Sequence, residues 1–314
     1  MINRFLIRVK VIQALYSYVL NRPDRTVKQA VHELQNSFDK SYELYFYFLQ
    51  LIVELTNMQD RRLDDARNKF LPTEEEMNPD TRFIDNRLVK LLNANEDFSE
   101  YCEHHNVSWT DDIVFMRLLL DKVLNSDYYK AYMQRGEQDT TLGDDCELWR
   151  NLIKNVLAND EDFIDHIENM SVHWSIEDCD VMSQFAIKTI RRFEMGDDKP
   201  IMPMYKDEED ARFGEDLFGW AIDEMEENNM LIDKAVDTSR WSHERVALMD
   251  RIIMCAAISE MRHYYLTIPV SVTLNEYIEL AKIFSTPNSG QFVNGVLNGI
   301  AHSLDLPRGA KPKK

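Results

Sequence analysis

Three cations stand within seven residues near the front of the chain: Arg4, Arg8 and Lys10. A helix capped by Asn3 would carry Arg4 and Arg8 on one edge, a turn apart, and Lys10 on another side. Cations at a helix N-terminus oppose its dipole by roughly 0.3–1 kcal/mol. An anion that binds free N–H groups and side-chain charges together would account for them. The other reading is an exposed first turn that serves solubility. Metal or hydrolytic chemistry is suggested by His104 and His105 beside Cys102 and Glu103. Adjacent residues on a helix diverge by about 100°, so the pair reads instead as surface histidines at a helix end. Two acidic runs, Asp207-Glu208-Glu209-Asp210 and Asp223-Glu224 with Glu226-Glu227, lack the alternating oxygen ligands and glycine of a calcium loop. They read as solvated helix faces.

Enzyme signatures are missing. The sequence contains no phosphate-cradling glycine motif and no nucleophile elbow, so the chain is not expected to be an enzyme or to hold a cofactor. Its four cysteines (Cys102, Cys146, Cys179, Cys255) are widely spaced and form no C-x-x-C pair, which fits free thiols in a reducing cytosol. Arg4, Arg8 and Lys10 interrupt the apolar N-terminus, and Leu44 to Val53 is too short for a membrane span. A soluble cytoplasmic protein without membrane contact is expected.

The elements that must position these residues read as helices. Only 9 Gly and 9 Pro occur in 314 residues, too few for the regular turns of a compact β fold. The fold class is all-α. Helices are expected from Asn3 to about Leu20 and, from a Thr26/Gln29 capping box, to about Lys69. Others follow at about 82–104, 110–133, 143–157, 159–169, 176–194, 207–228, 242–264 (capped by Ser242), 271–285 and 289–303. Leu71 to Pro79 reads as a polar loop, and Met195 to Pro203 as a linker. The net charge is −19, from 36 basic and 55 acidic residues, and phosphates are repelled by such a surface. It is unevenly spread. Residues 1–90 sum to +1 and residues 231–314 to +2, while residues 91–230 carry −22. A basic working surface on an acidic body is implied.

The last hundred residues carry an ordered set of motifs. Arg251-Ile-Ile-Met-Cys-Ala-Ala-Ile-Ser-Glu-Met261 leads to Ile268-Pro269, then Asn275-Glu-Tyr-Ile-Glu-Leu-Ala-Lys282. Ser289-Gly-Gln-Phe-Val-Asn-Gly-Val-Leu297 closes the set, and Gln13-Ala-Leu-Tyr-Ser17 stands near the start. In order and spacing these segments resemble the NusB family of transcription antitermination factors. The resemblance covers about 1–25 and 206–303. It divides the chain into a first core helix (1–29), an acidic helical insertion (30–200, with 18 basic and 36 acidic residues), the remainder of the core (201–304) and a basic disordered tail (305–314).

The resemblance implies a helical bundle whose core is two packed three-helix groups, with the inserted helical region added. It implies an RNA-binding adaptor that pairs with ribosomal protein NusE. The pair would bind boxA-like, single-stranded RNA in ribosomal RNA leaders and join an antitermination complex that makes RNA polymerase resist termination. On this chain the RNA-binding residues would be Arg4, Arg8, Lys10, Asn288, Gln291 and Phe292. Gln291 stands where the family usually has Lys or Arg, and Asn288 where an acid is common. Phe292 would offer a base-stacking ring; the other reading makes it a core aromatic. Tyr16 and Asp250 would face NusE, although Asp250 could equally pair with Arg245 or Arg251. Asn275 and Glu276 are expected to organise their own helix, and Gly295 to permit close helix packing. The alternative function is a protein-interaction scaffold in transcription or ribosome assembly, acting through the acidic insertion.

Overall fold

A computed structural model of the chain describes residues 1–135, 140–236, 246–286 and 288–306. Among them every regular element is helical, in agreement with the all-α reading: α1 Arg4–Leu20, α2 Val27–Arg67, α3 Glu74–Met77, α4 Arg87–Asn93, α5 Glu96–His105, α6 Ile113–Asn125, α7 Asp127–Met133, α8 Leu142–Leu152, α9 Glu161–Met170, α10 Ile176–Glu194, α11 Glu208–Asp223, α12 Met225–Ala235, α13 Leu248–Tyr264, α14 Val270–Phe284 and α15 Ser289–Ser303. The expected cap Ser242 and the tail from Pro307 on lie outside the described residues.

Two compact units divide the chain. A terminal unit takes Asn3–Phe38 and the described residues from Tyr205 on; a middle unit takes Met1–Ile2 and Asp39–Met204. The changeovers fall inside α2 and after Met204, where the sequence suggests 29/30 and 200/201. The middle unit has 18 basic and 35 acidic residues, −17 net; the sequence of the terminal unit has 18 and 20, −2 net.

In the terminal unit α1 packs on α11 and α13, and α13, α14 and α15 pack on one another. The two three-helix groups therefore share α13, with α12 against α13 and α15. Residues Ile252 to Met261 of α13 are all buried, as a helix at the centre of two groups requires. The middle unit is built on the aromatic stretch of α2. Tyr45 meets Phe185 of α10, Phe46 stacks on Tyr101 of α5, and Phe48 meets Phe163 of α9. These large rings dominate what that core removes from water.

Candidate functional site

Asn3 caps α1 by accepting the Leu6 N–H at 2.8 Å, and the helix then runs through the interior. Leu6, Ile7, Val9, Val11, Ile12 and Leu15 are all fully buried. A helix that is apolar almost all round has little surface on which to carry cations, and the basic residues go inside with it. Arg8 is 3% exposed and Lys10 2%. Both were expected to meet RNA; neither presents its charge to solvent.

Arg8 instead forks onto Glu260 of α13, Nε to Oε2 at 2.8 Å and Nη2 to Oε1 at 2.7 Å. Thr273 Oγ1 donates to Oε1 at 2.9 Å and Tyr277 OH to Oε2 at 3.0 Å, both from α14. Each carboxylate oxygen thus accepts two hydrogen bonds, which a fully buried anion needs. Nη1 of Arg8 reaches Glu276 at 3.3 Å, so Glu276 ties α14 to α1; the start of α14, at Pro269, has no side-chain cap. Burial works against the Arg8 charge, but the hydrogen bonds and charge of Glu260 outweigh it and hold the guanidinium pKa above its ordinary value. Burial, then the charge of Glu260, pushes Tyr277 well above the usual phenol range.

Arg4 is the most accessible of the three, its side chain 26% exposed. Its Nε donates to Asp210 at 2.7 Å and its Nη2 to Glu209 at 2.9 Å. Phe213 lies under both guanidinium groups, 5.1 Å from that of Arg4 and 5.3 Å from that of Arg8. The first acidic run is therefore not simply a solvated face: Asp207 caps α11 through the Asp210 N–H, and its neighbours hold α1. The second run behaves alike. Glu224 accepts from Ser259 and contacts His263 Nε2 at 2.6 Å, and Glu227 takes Arg262.

At the other end of the motif set, Ser289 opens α15 almost fully buried. Its Oγ lies 2.9 Å from both Ser285 Oγ and Thr286 Oγ1 and donates to Asp250 Oδ2 at 3.3 Å. Asp250 is thus 6% exposed, with its Oδ2 held by the start of α15, so little of the residue expected to face NusE reaches the surface. Asn288 and Gln291 are exposed, and Phe292 is half-buried at the margin of the stripe Val293, Val296, Leu297, Ile300. Tyr16 is half-buried on α1. Gly295 is exposed, and a Cβ added there would meet nothing within 4 Å, so it does not serve helix packing. Gly290 does: a Cβ there would lie 3.0 Å from Lys282 Cγ.

Two residues of this region were not singled out from the sequence. Glu260 had a signal, as the lone charged residue in the run 252–261 of α13. Lys282, half-exposed, lays its aliphatic stem beside Gly290 and has its Nζ on Glu279 at 2.6 Å; it closes the motif at 275–282 but had no role assigned.

The remaining candidates separate. His104 Nδ1 meets the Glu100 carbonyl at 2.8 Å, while the His105 ring stacks on Tyr101. No group of three or more potential metal ligands occurs among the described residues. The thiols of Cys102, Cys146, Cys179 and Cys255 are pushed up to about 12 by burial, which keeps them protonated and poorly nucleophilic. Among the described residues no helix is long and apolar enough to cross a membrane.

Residues 186–302 match the NusB family. The chain is 41% identical over 105 residues to the transcription antitermination protein NusB of Koribacter versatilis, covering 33% of this chain and 70% of that protein. It is 38% identical over 105 residues to the Salinibacter ruber protein of the same name, covering 33% of this chain and 62% of the relative. To that of Bacillus thuringiensis it is 42% identical over 80 residues, covering 25% and 61%. No solved structure matches the chain. The matched residues include α11 to α15 and hence Glu260, Lys282 and the start of α15; α1 and most of the middle unit lie outside them. On this similarity the chain belongs to the NusB family.

Proposed function

We propose that the chain is an RNA-binding transcription antitermination factor that acts in the cytoplasm, without catalysis or a cofactor. It pairs with ribosomal protein NusE and binds boxA-like single-stranded RNA of ribosomal RNA leaders, so that RNA polymerase resists termination. The observation that carries this reading is the 41% identity to a transcription antitermination protein NusB across 70% of that relative.

The RNA-facing set is the exposed start of α15, Asn288 and Gln291 with the half-buried Phe292, together with Arg4 and Lys282. Gln291 offers neutral hydrogen bonds, and Lys282 must leave Glu279 to meet a phosphate. Phe292, half-buried, offers its ring for stacking, worth about 1–3 kcal/mol per base. Arg4 must leave Glu209 or Asp210 in part to meet a phosphate. Arg8 and Asp250 act as positioning residues, fixing α1 and α15 respectively, and Lys10 belongs to the interior. Tyr16 is the NusE-side residue on α1.

The test is fluorescence anisotropy of a labelled boxA-like RNA with the purified chain, with and without NusE. Adding NusE is expected to tighten binding at least tenfold, and Phe292→Ala to weaken the ternary complex by a similar factor. Equal affinity with and without NusE would overturn the pairing. Unchanged affinity in Phe292→Ala would remove α15 from the RNA face.

A further inference from the structure

The middle unit carries an apolar ridge that its own core leaves uncovered. On α6, Ile113, Val114 and Leu118 are 51%, 74% and 58% exposed. With Arg117 and Asp121 they form one outer face, at i, i+1, i+4, i+5 and i+8. A cavity of about 520 Å³ flanks the face on the α2 side, floored by Met58, Trp109, Met116 and Leu120. Another of about 750 Å³ flanks it on the α9 side, against Phe115 and Leu119. A crest between two grooves is the relief into which a second helix packs. The 13 residues of α6 make it about 20 Å long, enough for three to four turns of a partner.

Charge selects the occupant. The unit stands at −17, which repels phosphate backbones and a second copy of itself. Around the ridge Asp65, Asp111, Asp162 and Asp165 are exposed carboxylates. Arg62 is already engaged by Asp121 at 2.8 Å, Lys122 by Asp160 and Asp162 at 2.7 and 2.9 Å, and the exposed Arg61 on the α2 wall of the groove by Glu54 at 3.8 Å. Arg117 is the counter-sign charge that remains on the crest.

We propose that the α6 ridge is the docking surface for a basic amphipathic helix of a partner protein. Its apolar face packs on Ile113, Val114 and Leu118, and its cations meet the surrounding carboxylates. The ridge shares no residue with the RNA-directed set, and the proposal stands independently of that reading.

The experiment uses the full chain and three labelled 14-residue peptides in fluorescence anisotropy: a Leu/Lys amphipathic helix, the same peptide with Leu replaced by Ser, and a Leu/Glu helix. The Leu/Lys peptide is expected to bind at least tenfold tighter than either of the others. Val114→Glu/Leu118→Glu is expected to weaken it at least tenfold although two negative charges are added, and Arg117→Glu to tighten it several-fold. Hydrogen exchange on the unsubstituted chain is expected to show slower exchange at 113–125 when that peptide is bound, a reading that needs no variant to fold. Equal or tighter binding to the double variant would reduce the effect to diffuse attraction and overturn the proposal. So would preference for the Leu/Glu peptide, an unchanged exchange pattern at 113–125, or a dimer in sedimentation that the double variant dissolves.

Discussion

Arg8 shows how one residue type supports two opposite readings. From the sequence it is a cation at a helix start, fit for phosphate. In the structure it is the cation of a buried pair whose anion, Glu260, lies 252 positions away. Nothing local announces that partner: the cue is only that α1 is too apolar to have an outside, and it needed to be weighed against the charge. The candidates at the start of α15, Asn288, Gln291 and Phe292, sit together in one compact motif and reach the surface, whereas the surroundings of Arg8, Lys10 and Asp250 depend on what the chain brings to them. Breaking a buried pair by removing one partner costs about 3–5 kcal/mol, because the other charge stays behind without compensation. Arg8→Ala is therefore expected to lower stability by that order in urea titrations. At temperatures where the variant stays folded, the slope of log RNA affinity against log salt should be unchanged, since no phosphate contact is lost. A stable variant with a shallower slope would return Arg8 to the RNA face.

Most helices were readable because their ends are written in side chains. Asn3, the Thr26/Gln29 box and Ser175 each cap their helix as the residue types suggest. Where expected helices proved to be two, the reasons differ. Asn95 accepts the Phe98 N–H and Ser126 the Tyr129 N–H, restarting α5 and α7. Those caps were present in the sequence and were overridden by the continuous apolar pattern. The break at Glu224 has no side-chain cap; Glu224 meets Ser259 and His263 of α13, a tertiary cause that no window of sequence contains. Glycine was misplaced for the same reason. Close helix approach occurs at Gly214, where a Cβ would lie 2.6 and 2.9 Å from the Phe38 ring and 3.0 Å from Ile7 Cγ2. Gly295 meets nothing within 4 Å. The two substitutions should therefore have opposite signs. Gly214→Ala is expected to destabilise by about 1–3 kcal/mol through overpacking. Gly295→Ala should stabilise by about 0.5–1 kcal/mol, the helix-propensity gain with no steric cost. Thermal melts followed by circular dichroism decide it; two shifts of the same sign would contradict these packing assignments.

At the scale of the whole chain, the charge of −19 is the sum of a nearly neutral unit and one at −17. The sequence made that division visible by counting, but it could not say where one unit gives way to the other, because the first changeover lies inside a single helix, α2. The two segments of the terminal unit nevertheless meet at their cut ends. The Phe38 and Tyr205 rings are edge to face with centroids 6.4 Å apart, so residues 39–204 leave from and return to neighbouring points. Closing that gap takes a linker of only a few Gly and Ser residues, and a short closure adds little entropy cost. Replacing 39–204 by such a linker is therefore expected to give a helical protein that melts cooperatively, with a formal charge of about −2 instead of −19. Removing the acidic unit also removes long-range repulsion of phosphates, which salt screens beyond about 10 Å at 0.1 M. The shortened protein should bind a non-specific single strand such as poly(U) more tightly than the full chain at low salt, with the two curves converging as salt rises. Curves that stay parallel would mean that the middle unit alters RNA binding through something other than its charge, and a shortened chain without a cooperative melt would mean that the terminal unit depends on the middle one to fold.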